Sequence, residues 1–319
     1  MKNEHKFVMT ALLFLLSCAW SVPVQGGMGS TLSYEYFPYS GIADLPAGSP
    51  LADMDIRYSK SSVNLNLPLL TFNRGITLFI NSLYAENIAL TSRNRPAGGS
   101  PTEVDRLIGI DYALTWLQFW APEWKTTLTI KPGIYYDGDS ASGNIYRVQG
   151  NLCVWKKVSS TLGWGVGGGV SNEFGEPTAV PILLLKFNSH AGEGNPKPGD
   201  HLVELNLPVN GSYFYAVAGG FHLGAAAQIS GGNYRLTEGA FDGKSVRFSV
   251  GTIGPAARFF FGNRFSLELG GGVTFHRRFD VRGGVTFHRR FDVRDGDTNV
   301  VDFELKNSGF ARLTANARF

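Results

Sequence analysis

Apolar and polar residues alternate along most of this chain. At the C-terminus Ala311, Leu313, Ala315, Ala317 and Phe319 fall on one face, and Arg312, Thr314, Asn316 and Arg318 on the other. Extended backwards, the same alternation sets Val301, Phe303 and Leu305 against Asp302, Glu304 and Lys306. A period of two is the mark of a β-strand with two different faces. A strand over positions 301–319 is long beside the usual 3–10 residues of globular strands. It suits the wall of a transmembrane β-barrel, whose strands alternate lipid-facing and lumen-facing residues.

Further strands follow from the same alternation. Arg106–Trp120 places Ile108, Ile110, Tyr112, Leu114, Trp116 and Trp120 against Asp111, Ala113 and Thr115. Lys125–Asp137 places Leu128, Ile130, Ile134 and Tyr136 against Thr127, Thr129, Lys131 and Asp137. Ile145–Trp155 places Tyr146, Val148, Leu152 and Val154 against Arg147, Gln149 and Asn151. Phe265–Phe275 places Leu267, Leu269, Val273 and Phe275 against Ser266, Glu268, Thr274 and His276. Less regular strands are predicted near 31–38, 54–67, 76–89, 160–172, 179–187, 201–207, 212–218, 221–236 and 244–261. The count is about 14, or 12 if two short strands are one strand or a plug; bacterial barrels normally hold an even number. No segment carries a 3.6-residue apolar stripe with caps. The predicted fold is therefore all-β: an antiparallel transmembrane β-barrel of about 12–14 strands.

Connections alternate in length. Tight ones are Phe72–Gly75, Ala121–Trp124, Val158–Ser160 and Gly262–Arg264; long ones are 40–53, 90–103, 138–144, 237–243 and 282–298. Short periplasmic turns and long outer loops are the barrel rule. The alternation is ambiguous at 188–211, where a long link, Asn188–Asp200, precedes a tight one, Pro208–Gly211. Aromatic residues gather beside the tight turns: Phe72, Trp116, Phe119, Trp120, Trp124, Trp155, Phe259, Phe260, Phe261 and Phe265, with Phe319 ending the chain. They are expected to form an interfacial girdle.

Lys2 and Lys6 precede an apolar run, Phe7–Leu16, then small residues and Pro23. That is a secretory signal peptide, too short to span a membrane as a helix. Cleavage after Ala19 or Gly26 fits; Gly26 divides the chain into a signal, 1–26, and a barrel domain, 27–319. Lipidation at Cys18 is the alternative. Removing Lys2, Lys6 and Glu4 takes the formal charge from +3 to +2, which gives no electrostatic case for nucleic acid. Without Cys18, Cys153 stands alone and has no internal disulfide partner.

Gly271–Arg282 recurs unchanged as Gly283–Arg294. One copy completes a strand, so the second is expected mostly in the loop before Val300. Gly163-Trp-Gly-Val-Gly-Gly168 has the spacing of a dinucleotide fingerprint but no helix behind it; close strand packing is expected. Asp295-Gly-Asp-Thr-Asn299 opens like a calcium loop, yet Val300 and Lys306 stand where Gly and Glu are required. His190, His201 and His222 have Ser189 and Ser212 nearby without a diagnostic context for lipid hydrolysis. No cofactor or metal site and no enzyme activity is expected.

The lumen-lining candidates are Asp111, Lys131, Arg147, Glu268, His276, Asp302, Glu304, Lys306, Arg312 and Arg318. Their mixed signs fit either a weakly selective water path or an interior salt-bridge network that fills the barrel. The alternating C-terminal strand ending in Phe319 resembles the assembly signal of bacterial outer-membrane proteins. The whole mature chain resembles a bacterial outer-membrane β-barrel of an uncharacterised, domain-of-unknown-function family. Leu67-Pro68, Leu207-Pro208, Leu223-Gly224 and Gly231-Gly-Asn-Tyr234 carry that narrower resemblance. It implies the outer membrane of a Gram-negative cell, contact with outer-membrane lipid and the barrel-assembly machinery, and small solutes if the lumen is open. The functional expectation is a small passive, porin-like channel. A closed structural or adhesive barrel with partner-binding loops is the alternative, and an outer-membrane lipid-modifying enzyme the minor one.

Overall fold

The computed structural model describes residues 29–43, 54–72, 76–94, 105–137, 145–172, 178–190, 197–235, 244–262, 264–283 and 299–318. The signal peptide and Cys18, the second copy of the duplicated block past Gly283, the 295–298 segment and Phe319 lie outside these residues. The strands are β1 (Gly29–Ala43), β2 (Asp55–Phe72), β3 (Thr77–Arg93), β4 (Arg106–Ala121), β5 (Trp124–Tyr136), β6 (Ile145–Lys157), β7 (Leu162–Ser171) and β8 (Thr178–Asn188). They continue as β9 (His201–Leu207), β10 (Asn210–Ala218), β11 (Phe221–Arg235), β12 (Lys244–Phe261), β13 (Phe265–Gly283), β14 (Asn299–Leu305) and β15 (Gly309–Arg318). From β1 to β14 each pairs antiparallel with its neighbours in sequence. β14 and β15 both lie between β13 and β1, so fifteen segments fill 14 positions of a closed barrel. There is no helix among the described residues.

The tight connections share one rim, here the turn rim, and the long ones the other, the loop rim. The ambiguous stretch is an exception to the rule. The long link between β8 and β9 lies on the turn rim, and the tight turn Pro208-Val209 lies on the loop rim. β9 and β10, with 7 and 9 residues, are accordingly short beside β2 and β12, with 18 each.

In the turn half the wall has an apolar exterior. Leu65, Leu67, Leu83, Leu114, Leu128, Ile130, Leu152, Val154, Leu269 and Leu313 face out, and Asn64, Asn66, Thr115, Thr127, Thr129, Asn151 and Thr314 face in. Phe72, Trp120, Trp124, Trp164, Phe261 and Phe265 stand exposed near the turn rim. The girdle is narrower than the sequence pattern implies. Trp155 faces inward, packed over β7 at Gly163 and Gly165 with the Lys125 ammonium 5.3 Å from its ring. Phe119, opposite Lys125, and Phe260, beside His222, also sit on the inner face.

In the loop half the apolar face turns inside. Phe37, Ile56, Tyr58, Ile88, Leu107, Tyr135, Tyr234, Val246, Phe248 and Val250 form one buried core. β2 shows the reversal within one strand: Ile56 and Tyr58 point in, whereas Val63, Leu65 and Leu67 point out. Below the reversal the pattern is that of a wall in lipid. Above it the pattern is that of a barrel in water, whose apolar side chains leave solvent only by facing one another.

The last strands make the same reversal through backbone irregularities. β13 skips a residue, since Phe275 pairs with Gly251 and Arg277 with Val250. β14 and β15 are separated at Lys306–Ser308, where the Thr274 N–H donates to the Ser308 carbonyl (2.8 Å) and the Ser308 N–H to the Thr274 hydroxyl (2.9 Å). The terminal alternation is therefore not one continuous strand. Leu305 is 3% exposed in the inner core while Leu313 is 42% exposed on the outer face. In one continuous strand these two odd-numbered positions would share a face; the break at Lys306–Ser308 shifts the alternation by one and exchanges the faces.

Candidate interior path and charge belt

Charged side chains meet where the two halves join. Arg312 Nε donates to Glu35 Oε1 (2.7 Å) and its Nη2 to the Thr252 hydroxyl (3.0 Å). Glu35 stands opposite Lys60, whose Nζ lies 2.7 Å from Glu86 Oε2. Glu86 also accepts from the Tyr84 hydroxyl (2.7 Å) and the Tyr234 hydroxyl (2.5 Å). Asp111 Oδ2 accepts from Tyr135 (2.7 Å) and pairs with Lys131 (3.0 Å). The Arg147 guanidinium lies 4.7 Å from the Tyr135 ring centre. The belt thus runs through β15, β1, β2, β3, β4, β5 and β6, with one charge per strand.

Burial makes this pairing obligatory. Glu86 and Asp111 are 3% and 0% exposed, and an ionised carboxylate without partners at such a site would cost several kcal/mol. Two glycines make room for it. A side chain on Gly133 would overlap Asp111 Oδ1, and one on Gly109 would overlap the Tyr135 ring. Both glycines are the direct cross-strand neighbours of the residues they accommodate.

Of the candidates read from sequence, Asp111, Lys131, Arg147 and Arg312 enter the belt. Glu268 lies lower and takes both Nε and Nη2 of Arg258 (3.0 and 2.8 Å). Arg318 is exposed at the turn rim, and Lys306 lies in the β14–β15 break, exposed, rather than in a wall strand. His276 is the residue skipped in the β13 register, and Asp302 and Glu304 pair by backbone with Asp280 and Arg278; the side chains of these three lie outside the described set. The sequence reading missed Glu35, Lys60 and Glu86. They lie on the strands judged less regular, at the level where the apolar face changes sides.

The turn half contains a polar cavity of about 300 Å³ lined by Asn66, Glu204, Arg258, Ser266, Asn316 and Arg318. Lys186 pairs with Glu204 on the adjoining wall at 3.2 Å. At the turn rim Asp200 ties the long link. It accepts from the Lys197 N–H (2.6 Å) and the Ser189 hydroxyl (3.2 Å), with His190 Nδ1 3.4 Å away. The Lys197 N–H and the Ser189 hydroxyl hold this carboxyl below the usual carboxylate range. His201 Nδ1 lies 2.9 Å from the Tyr213 hydroxyl, and His222 is buried against Phe260. Ser189 is thus turned to Asp200 and the backbone of His201, not to a histidine ring.

The family described as Domain of unknown function (DUF6268) matches residues 21–309. The chain belongs to that family. No curated protein matches it. This DUF6268 barrel is similar in structure to the COG4313 outer membrane channel from Pseudomonas putida F1, with 11% identity over 94% of this chain and 97% of that one at a TM-score of 0.43. It is similar to a deltaS2 mutant of the TodX monoaromatic hydrocarbon channel, with 9% identity over 93% and 91% at 0.42. The translocator domain of the autotransporter NalP from Neisseria meningitidis aligns at 13% identity over 100% and 97%, at 0.37. The DUF6268 barrel is an outer-membrane β-barrel by its own geometry: closed, antiparallel, and apolar on the outside of its turn half.

Proposed function

We propose that this protein is a small passive channel for hydrophilic solutes in the outer membrane of a Gram-negative cell. One observation carries the reading: the turn half is apolar outside and polar inside, around a cavity of about 300 Å³. A barrel meant only to be filled needs no polar lining there. Interior charges of this half include the ion pairs Lys186 with Glu204 and Arg258 with Glu268, and pairing of opposite signs along the lining favours weak discrimination between anions and cations. The reading includes export by the N-terminal signal, lipid around the wall, and recognition of the C-terminal strand ending in Phe319 by the barrel-assembly machinery. It assigns no catalytic group. Purified protein in planar bilayers is expected to give discrete conductance steps of low ion selectivity. Folded protein that stays silent at high input overturns the reading.

The filled loop half favours a second reading, a closed barrel whose loops bind a partner. Deleting 284–297 then abolishes partner binding while heat-modifiable migration on gels is retained.

A further inference from the structure

We infer that solutes cross the loop half beside its filled core, through an off-axis mouth between β7–β10 and the back of β11. This rests on the channel reading. The axis itself is blocked, because the buried core and the charge belt occupy it. β11 explains where room remains. Up to Gln228 it pairs with β10, and the Ile229 N–H donates to the Val209 carbonyl (2.8 Å). It then leaves that neighbour. Its end, Arg235, pairs in parallel with Tyr136 of β5, a strand six places away in the barrel order. The seven steps from Gln228 to Arg235 cover about 23 Å, enough to cross the interior.

Gly231, Gly232, Asn233 and Tyr234 are all buried, although successive strand residues face opposite sides. This part of β11 is therefore an inner partition and not outer wall. On one side of it eight wall strands, β12, β13, β14 and β1–β5, close with the partition around the apolar core. On the other side stand β6–β10.

The height of the mouth follows from register. Leu184, Asn206, Asn210, Gln228 and Thr252 stand opposite one another across β8 to β12. Thr252 binds Arg312, which fixes the row at the level of the charge belt. β9 ends one residue beyond the row and β10 begins on it. Among the described residues no strand rises over β9 and β10 above it. Asn206 and Asn210 are exposed, and with Gln228 they offer hydrogen-bond donors and acceptors without charge. The mouth thus suits small hydrophilic solutes of either sign or none.

Thiol modification in planar bilayers tests the route. In a Cys153→Ser background, Asn206→Cys and Gln228→Cys are each treated with a bulky cationic methanethiosulfonate. Conductance is expected to fall at least twofold in both, and the folded state is checked by heat-modifiable migration. If one variant fails to assemble, the other decides. Complete modification, shown by mass, with unchanged conductance overturns the off-axis mouth and leaves the channel reading standing. A silent parent barrel overturns both.

Discussion

Tyr234 and Glu86, 148 positions apart, meet inside the barrel with the Tyr234 hydroxyl 2.5 Å from Glu86 Oε1. The contact joins the end of β11 that leaves the wall to β3 on the opposite side. Tyr234 therefore both fills the loop half and caps a buried carboxylate.

Its removal should be felt but survivable. Tyr234→Phe leaves Glu86 with Lys60 and Tyr84. The loss of one hydrogen bond to a charged group is worth about 1.5–3 kcal/mol. Lys60→Met should cost more, about 3–5 kcal/mol, because it strands the carboxylate. Lys60→Met combined with Glu86→Leu should recover much of that loss. Urea midpoints of heat-modifiable migration check the order; a double variant weaker than Lys60→Met alone contradicts it.

Gly133→Ala should destabilise the barrel, since the added methyl overlaps Asp111 Oδ1. Overpacking of this kind costs about 1–3 kcal/mol. Gly150→Ala on β6 meets only the Thr129 carbonyl, at 3.8 Å, and should be near neutral. Equal midpoints for the two variants would refute the steric argument.

The reversal of faces at Lys306–Ser308 predicts opposite surroundings for two similar residues. A fluorophore on Leu313→Cys should be quenched by quenchers carried on lipid chains. One on Leu305→Cys should be shielded from quenchers in both lipid and water. Strong lipid-phase quenching at position 305 would restore a single continuous strand.

The link at the turn rim should respond to acid. The carboxyl of Asp200 titrates lower in the folded protein than in the unfolded chain, chiefly because the Lys197 N–H donates to it. A depressed value means that the clasp is fully present above the unfolded pKa, about 4. It is lost as pH falls through the lower folded value. Hydrogen exchange at the Lys197 amide, corrected for its intrinsic rate, should stay slow at neutral pH and accelerate below about pH 4. Asp200→Asn should abolish that dependence.

The strands of the turn half were legible because lipid outside and water inside impose a strict period of two. Ile110, Leu128 and Leu152 against Asp111, Thr129 and Asn151 are sufficient to see it. The loop half was obscured by the same rule applied with the solvents exchanged. Ile56 and Tyr58 lie on even positions and Val63, Leu65 and Leu67 on odd ones, so the 54–67 stretch reads as irregular when it is two regular patterns joined at Lys60–Ser62. Glu35, Lys60 and Glu86 sit at those joins, where alternation no longer says which face is inside.

The sequence alone determined an antiparallel β-barrel of about 12–14 strands and most of its tight and long connections, since alternation, turn chemistry and loop length are local properties; the structure fixed 14 wall positions and the rim exchange at 188–211. The tertiary structure decided which half is filled, which charges pair, and that β11 crosses to β5. Those depend on contacts between residues as distant as Tyr234 and Glu86, and on register shifts of a single residue that local periodicity cannot locate.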